Sequence, residues 1–504
     1  MPNFSEEVLA PFIENIILRG EKNAIQIGGS VNSYNDFGRR VLSIAERVNA
    51  MPGKAIGLYT DTAVDVYAAI WAIWLCGKHY IPLMAHAPAS RNAVMMEDAG
   101  VEACLDVASM CAWPSYSGSL EDGFLRYMVD AESLNGGDAY ILFTSGSTGL
   151  PKGVLISRMN LAAYWVAYKE LGYQVSSADR VIQPFELSFD LSIMSYLMAF
   201  VHGACLYPLP KDVHKISGVA NLLEEAKITI AVMVPSLLQY LKPYFDELDF
   251  PHLRLSVFCG EPLPVSVLQG WAGCCKQAQI DNVYGPTEGT IICSRYTFNR
   301  EGNNGARHGI LTLGYAMLGN KMMVVDEHGN EQLVGKAGEL ILSGPQVMRG
   351  YVNRPSLNET AFLYKEVDGD RQRFYRTGDW VVKEADGRFD YISRIDFQVK
   401  VQGHRVELGE IEFHVRDLLG EGGTILVHAI QNKRDQFELV LFIQGQVFEL
   451  GELMDALRVR LPWYMLPGHI EFLPQFPLNI NGKTDRKTLA EQWLTKRSNA
   501  LCPL

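Results

Sequence analysis

Short apolar runs alternate with longer helical patterns through the N-terminal half of the chain. The runs predicted as strands are Lys54–Tyr59, Ala139–Thr144, Val181–Pro184, Ile228–Met233, Leu255–Phe258 and Gln279–Val283. Between them, Thr62–Leu75 and Ser192–Val201 have the apolar content and the length of helices. Short apolar strands separated by helices indicate α/β layers around a largely parallel sheet.

The pattern changes in two later parts of the chain. Between Leu311 and Leu342, apolar stretches are separated by Gly and Asn turns, which predicts an antiparallel or barrel-like β section. From about Phe397 the sequence is more charged, and Glu452–Arg460 is predicted as a helix. We therefore expect a large multi-layer α/β domain over residues 1–395 and a small α+β domain over residues 396–504.

Composition narrows the class of protein. The chain has 504 residues and a net charge of −12, which argues against nucleic acid as a bulk electrostatic partner. The most apolar run, Val66–Cys76, is about half as long as a membrane span, so we expect no membrane insertion. Acidic residues occupy the N-terminus where a signal peptide has basic ones, and the nine cysteines show no zinc spacing. These features favour a cytoplasmic protein with reduced thiols.

A glycine-rich loop carries the clearest chemical signal. Tyr140–Gly153 reads YILFTSGSTGLPKG, so a buried strand leads directly into a loop of hydroxyls and glycines. Glycines let backbone N–H groups approach a phosphate, and the hydroxyls and the lysine add donors and charge. A flexible Ser/Gly turn is the alternative, but this density of donors directly after a strand favours a phosphate site. The candidate residues are Thr144, Ser145, Gly146, Ser147, Thr148, Gly149 and Lys152.

Further motifs follow in a fixed order along the chain. They are NVYGPTE (Asn282–Glu288), GELILSG (Gly338–Gly344), YRTGD (Tyr375–Asp379), SRIDFQVKVQGHRVELGEIE (Ser393–Glu412) and NINGK (Asn479–Lys483). Together with the loop, they resemble the adenylate-forming superfamily of acyl-CoA synthetases and nonribosomal peptide adenylation domains. SFDLSIM (Ser188–Met194) and VFCGEPLPVSV (Val257–Val267) are most similar to stand-alone D-alanine–carrier protein ligases and their glycine-activating relatives.

The resemblance implies roles for the matched residues and a requirement for ATP and Mg²⁺. The loop residues would hold the β- and γ-phosphates, Tyr284 would offer an aromatic face to the adenine, and Asp379 and Arg394 would bind the ribose. Gly285 would also belong to the ATP site. Thr287 would contact the α-phosphate, Glu288 would bind Mg²⁺, and Lys483 would bridge the substrate carboxylate and the α-phosphate. Asp396 would be the hinge of a mobile C-terminal lid. Two departures, Ser393 for a usual Gly and Arg158 for a frequent His, remove none of these groups.

Asp190 points to the substrate. In amino-acid-activating relatives this position pairs with the α-ammonium group, although the residue could instead cap the following helix. The other matched pocket positions are Leu191, Met194, Val232, Val257, Cys259, Val283, Ile291 and Ile292. They are aliphatic apart from Cys259, which implies a small substrate. Bulk at Ile291 and Ile292 favours glycine slightly over D-alanine.

The expected activity is therefore ATP-dependent formation of a small aminoacyl-adenylate and its transfer to a phosphopantetheine thiol. Because no carrier domain is recognisable beyond Lys483, we expect the thiol on a separate carrier protein, in a route that modifies the cell envelope. Two alternatives stay open at this point. One is an acyl-CoA synthetase for a short carboxylic acid, and the other is a catalytically inactive nucleotide-binding module.

Overall fold

The structure of the protein is a computed structural model. It describes residues 2–129, 134–145, 150–302, 304–395, 398–419, 424–432, 437–445, 449–477, 484 and 486–500. The chain divides into two compact units. The large unit comprises Met1–His86, Val94–Phe143 and Lys152–Asp396, and the small unit comprises Ala87–Ala93, Thr144–Pro151 and Phe397–Leu504. The mixed α/β architecture that the sequence predicts is confirmed.

A nine-stranded sheet is the largest element of the large unit. Its strands run in the order Tyr315–Ala316, Ser294–Thr297, Gln279–Tyr284, Leu255–Phe258, Ile230–Met233, Arg180–Gln183, Cys205–Pro208, Asn23–Ile27 and Ser30–Ser33. The five strands between Gln279–Tyr284 and Cys205–Pro208 are all parallel to their neighbours. Parallel strands require crossover helices, which is why apolar runs and helices alternate in the sequence.

Two further sheets complete the large unit. A six-stranded sheet has the order Gly350–Tyr351, Lys152–Ser157, Asp138–Thr144, His79–Met84, Ala55–Thr60 and Ala103–Leu105. The predicted barrel-like section is an antiparallel sheet of five strands, namely Lys321–Val325, Ala337–Ser343, Asp370–Lys383, Phe362–Val367 and Phe389–Arg394. A short hairpin pairs Ala306–Arg307 with Ile310–Leu311.

Helices pack against these sheets. They run over Ala10–Leu18, Tyr34–Ala50, Val64–Leu75, Ala89–Asp98, Val107–Cys111, Leu120–Met128, Arg158–Lys169, Leu191–His202, Lys215–Glu225, Pro235–Leu241, Val265–Cys274 and Pro355–Ala361. A π-helix spans Ser5–Leu9, and 3₁₀ turns span Lys242–Tyr244 and Thr287–Gly289. Val64–Leu75 is buried from Val66 onward, as its apolar sequence predicts, and Trp71 stacks on Phe12 at 3.8 Å between ring centroids.

The small unit is an α+β structure. It has a three-stranded sheet of Ile425–Gln431, Phe437–Gln444 and His469–Leu473, and a hairpin of Gln398–Val401 and His404–Glu407. Its helices are Leu408–Leu419, Leu450–Arg458 and Arg486–Ala500, with a 3₁₀ turn at Trp463–Met465. Across the described parts of both units, no helix is long and apolar enough to cross a bilayer.

Candidate active site

The predicted pocket residues on three neighbouring parallel strands lie on one face of the large sheet. Val232 pairs directly with Val257, and Val257 pairs with Asp281 on the next strand. Side chains alternate between faces along a strand, so Cys259 and Val283 lie on the same side as Val257. We call Val232, Val257, Cys259 and Val283 the strand-end set. All four are buried, and they lie at or beside the carboxyl ends of their strands, where α/β sheets bind ligands.

Asp190 is buried, with 4% of its surface exposed. It precedes the helix Leu191–His202 in an α-type conformation and makes no side-chain hydrogen bond to the helix end, so the capping alternative is wrong. Burial raises the pKa of Tyr164, and the neighbouring ionisable groups of Tyr168, Cys259 and Asp190 raise it further. Tyr164 therefore lies within electrostatic range of both Asp190 and Cys259.

The start of the helix Leu191–His202 contacts the same region. A Cβ atom added to Gly260, the residue after Cys259, would lie 3.5 Å from Phe189 Cζ and 4.0 Å from Leu191 Cδ1. Leu191 and Met194 are both buried in the core of the large unit. The loop after the strand Leu255–Phe258 therefore packs on the segment that carries Asp190.

Ile291 and Ile292 follow the NVYGPTE motif and are completely buried. A Cβ atom on Gly285 would lie 2.5 Å from Ile292 Cα and 2.6 Å from the Ile291 carbonyl oxygen. Only glycine allows this close backbone approach. Gly285 therefore has a steric reason to be glycine, in addition to the ATP-binding role that the resemblance implies.

Asp379, the residue expected at the ribose, is held by two hydrogen bonds from other motif residues. Its Oδ2 accepts a hydrogen bond from the Tyr284 hydroxyl at 2.5 Å, and its Oδ1 accepts one from Arg394 at 2.9 Å. Burial raises the pKa of Tyr284, and the neighbouring carboxylate of Asp379 raises it further. A carboxylate has about four acceptor positions, so two protein donors leave capacity for two ribose hydroxyls. The structure thus brings together three of the predicted nucleotide residues.

Glu288 is fully buried and accepts a hydrogen bond from Tyr351, which in turn bonds to Tyr375. Its Oε1 accepts a hydrogen bond from Tyr351 at 2.6 Å, and the Tyr351 and Tyr375 hydroxyls are 3.2 Å apart. Lys152 Nζ lies 5.2 Å from the centroid of the Tyr351 ring. The donor set suits Mg²⁺, because Mg²⁺ prefers carboxylate oxygen and is commonly held by one or two carboxylates together with substrate phosphates. The described residues hold no group of three or more His, Cys, Asp or Glu that could bind a metal without such phosphates.

The remaining predicted positions are placed as follows. Thr287 is half-buried in the 3₁₀ turn Thr287–Gly289. Ser145 belongs to the small unit, where its hydroxyl donates to the Arg405 carbonyl at 2.8 Å and accepts from the Glu407 N–H at 3.0 Å. Thr144 ends the strand Asp138–Thr144, and its buried hydroxyl has no hydrogen-bond partner among the described residues. Gly146, Ser147, Thr148, Gly149, Asp396 and Lys483 lie outside the described residues.

Comparison with known proteins identifies the family. Residues 17–352 match the model of the AMP-binding enzyme family. The chain belongs to this family. Its matched region contains the strand-end set, Asp190, Glu288 and Tyr351. Asp379 and Arg394 lie beyond it, on the antiparallel sheet.

Individual relatives of this AMP-binding enzyme are large synthetases and their adenylation domains. Delta-poly-L-ornithine synthetase of Acinetobacter baumannii is 30% identical to the chain over 98% of the chain's residues. The chain spans 37% of the length of that synthetase and 7–18% of the length of four further peptide synthetases and synthetase subunits. Among solved structures, the Vibrio cholerae adenylation domain AlmE in complex with glycyl-adenosine-5′-phosphate is 25% identical, with a TM-score of 0.84 and 97% coverage of both chains. A four-domain nonribosomal peptide synthetase bound to AMP and glycine is 27% identical, with a TM-score of 0.67 and coverage of 95% and 36%.

Three residues of the site were not identified from the sequence. Tyr351 lies 63 positions from Glu288, and Gln346 lies 54–57 positions from Gly289, Thr290 and Ile292, whose carbonyls its amide contacts, so no local pattern reveals them. Tyr164 is an apolar-face residue of an ordinary helix, and its buried hydroxyl has no hydrogen-bond partner among the described residues. The RGY sequence that contains Tyr351, close after the GELILSG motif, is the one signal that could have drawn attention to it.

Arg158 has a structural role in this AMP-binding enzyme. Its guanidinium is fully buried and donates to the carbonyls of Leu134, Trp74 and Lys78 at 2.7–2.8 Å. Burial lowers the pKa of Arg158 to about 10. The side chain therefore joins backbone segments inside the large unit.

Proposed function

We propose that this AMP-binding enzyme uses ATP to activate a small amino acid, glycine first and D-alanine second, and transfers it to the phosphopantetheine thiol of a separate carrier protein. The observation that carries the proposal is the buried carboxylate of Asp190, whose chain neighbours Phe189 and Leu191 pack against the loop that follows Cys259. An ammonium group is the natural complement of a buried carboxylate.

Glycine is placed first for two reasons. Ile291 and Ile292 add branched bulk where an α-methyl group would have to fit, and one misplaced methyl group changes discrimination by about 1–3 kcal/mol. In addition, two structural neighbours with at least 25% identity were solved with glycyl-adenylate or glycine. D-alanine stays second because Cys259 matches a residue of D-alanine ligases.

The proposed chemistry has two steps. An oxygen of the amino acid carboxylate attacks the α-phosphorus of ATP, the bond to the bridging oxygen breaks, and pyrophosphate leaves. The thiol then attacks the carbonyl carbon, the C–O bond to phosphate breaks, AMP leaves, and the thiol proton is released. Asp379 would orient the ribose and Glu288 would hold Mg²⁺, which neutralises phosphate charge. Lys483 would stabilise charge in the first step, a role that rests only on the match of its NINGK segment to the family motif.

The direct test is a panel of amino acids and short carboxylic acids in ATP–pyrophosphate exchange. We expect glycine to give the highest rate and D-alanine the next. Asp190→Asn keeps the shape and removes the charge, and it should abolish amino-acid-dependent exchange while AMP binding, measured by calorimetry, is retained. Exchange driven by a short acid without an amine, unaffected by Asp190→Asn, would overturn the proposal in favour of an acyl-CoA synthetase.

A second assay addresses the acceptor and the C-terminal residues. With glycine and ATP, a phosphopantetheinylated carrier protein should gain a glycyl thioester by mass spectrometry, and coenzyme A should not replace it. Lys483→Ala should lose exchange but still form thioester from supplied glycyl-adenylate. Asp396→Pro should keep adenylation and lose transfer if this residue is the hinge. The destination of the amino acid in the cell envelope stays a prediction.

A further inference from the structure

The backbone directly after Glu288 is strained. Thr290 and Ile291 have φ angles of +59° and +73°, and both are completely buried. Positive φ is a genuine outlier for β-branched residues. The Ile292 N–H donates to the Thr290 carbonyl at 3.0 Å, which closes a three-residue turn of the γ type around Ile291. Such a turn persists only where surrounding contacts over-determine it.

Gln346 makes most of those contacts. Its side-chain Nε2 donates to the Ile292 carbonyl at 2.7 Å and lies 3.3 Å from the carbonyls of both Gly289 and Thr290. The Thr290 hydroxyl donates in turn to the Gln346 backbone carbonyl. Carbonyls only accept hydrogen bonds, so the amide must present its NH₂ group to them. One fully buried side chain thus bonds to the backbone on both sides of the strained residue.

Gln346 is itself held in place by two asparagines. Asn320 donates to Gln346 Oε1 at 2.5 Å. Asn160 donates to the carbonyls of Pro345 and Val347, the residues on either side, at 2.7 and 3.0 Å. The side chain and the backbone of Gln346 are both held by protein groups, which is what a precise pocket requires.

We propose that Gln346 is a positioning residue for amino acid selectivity. It holds the Thr290–Ile292 turn in its strained form, and this form presents the branched side chains that exclude an α-methyl group. Without the amide, the turn relaxes and the pocket loses its defined shape. The selectivity part of this inference rests on the proposed function, whereas the holding of the turn does not.

The test uses Gln346→Met, which keeps the length and removes both donors, and Asn320→Ala, which leaves Gln346 in place but releases its side chain. Gln444→Met is the matched control, because Gln444 bonds to Phe476 in the small unit. Hydrogen–deuterium exchange of peptides that cover Gly285–Ser294 is the first readout, and it needs no substrate. We expect these peptides to exchange faster than wild type in both test variants and at the wild-type rate in the control.

The second readout is kinetic. Gln346→Met should lower the glycine-to-D-alanine ratio of kcat/KM by about tenfold, the value of roughly one methyl group of fit. The KM for ATP should change by less than about twofold, which separates pocket shape from general damage. Unchanged exchange of the turn in both variants overturns the inference whatever the activity. Faster exchange with an unchanged substrate ratio overturns the selectivity role, and absence of all amino acid activation in wild type refutes the proposed function alone.

Discussion

Truncation of Ile292 is the sharpest test of how the pocket selects its substrate. Its backbone is held independently of the side chain, because its carbonyl accepts from Gln346 and its N–H donates to Thr290. Removing side-chain atoms should therefore open space and not collapse the turn. We expect Ile292→Val and Ile292→Ala to move preference from glycine towards D-alanine in two steps.

The magnitudes follow from burial. Ile292 is completely buried, so loss of one methyl group costs about 0.5–1.5 kcal/mol of stability and truncation to alanine about 2–5 kcal/mol. Relief of one methyl group of overlap changes discrimination by about 1–3 kcal/mol, which is roughly 5- to 150-fold in relative kcat/KM. The valine variant should keep most of the fold and already show part of this change.

The assay is ATP–pyrophosphate exchange with glycine and D-alanine, read as the ratio of kcat/KM values so that a general loss of rate cancels. Ile280→Val is the matched control. Ile280 is 1% exposed on the strand Gln279–Tyr284, and it faces the opposite side of the sheet from Val283. It should lose similar stability and keep the wild-type ratio. A wild-type enzyme that activates D-alanine and ignores glycine would refute the crowding argument, and so would an unchanged ratio in Ile292→Ala.

Three further predictions concern the scaffold around the site. Tyr351→Phe removes the donor to the buried Glu288 carboxylate and should lower the free energy of unfolding by about 1.5–3 kcal/mol in urea denaturation, whereas the exposed Tyr244→Phe should not. Gly285→Ala places a Cβ atom 2.5 Å from the Ile292 backbone and should cost about 1–3 kcal/mol by the same assay; a neutral result would mean that the turn yields freely. His86 Nε2 lies 3.4 Å from Glu186 Oε1, and the hydrogen bond between them raises the pKa of His86. The stabilising contribution of this pair is therefore full below about pH 6.5, and it is lost as pH rises through the higher folded-state pKa. The difference in unfolding midpoint between wild type and His86→Gln should therefore be largest near pH 6 and shrink by pH 8.5, and a difference that grows with pH would contradict this assignment.

Helices and strands could be predicted from the sequence where the local pattern of apolar residues matches the burial of the segment in the fold. Leu255–Phe258 has the predicted bounds, and the helix Val64–Leu75 differs from its prediction by two residues at the start. Both are mostly apolar because nearly all of their residues are buried, and such runs are recognisable in the sequence. The motif residues Tyr284, Asp379 and Arg394 also contact one another. Tyr284 ends a strand of the parallel part of the large sheet, and Asp379 and Arg394 lie on the antiparallel sheet.

The rest depends on contacts that no local pattern encodes. Ile291 is β-branched, and β-branched residues disfavour a positive φ, so intrinsic propensity predicts the wrong backbone geometry at this residue. Gln346 compensates for it across more than fifty residues of sequence. Asp190 could have capped its helix on local grounds, and the observed backbone at that residue excludes it.

The placement of Glu288 and Ile291 has a consequence for how selectivity can change in this fold. The 3₁₀ turn Thr287–Gly289 leads directly into the strained turn, and the Glu288 carbonyl accepts from the Met348 N–H at 2.8 Å. The Glu288 backbone is thus anchored at Met348 separately from the bonds by which Gln346 holds the strained turn. On the proposed function, side-chain changes at Ile291 or Ile292, and release of the turn by Gln346→Met, should therefore alter substrate preference while the Glu288 carboxylate, proposed to hold Mg²⁺, keeps its place.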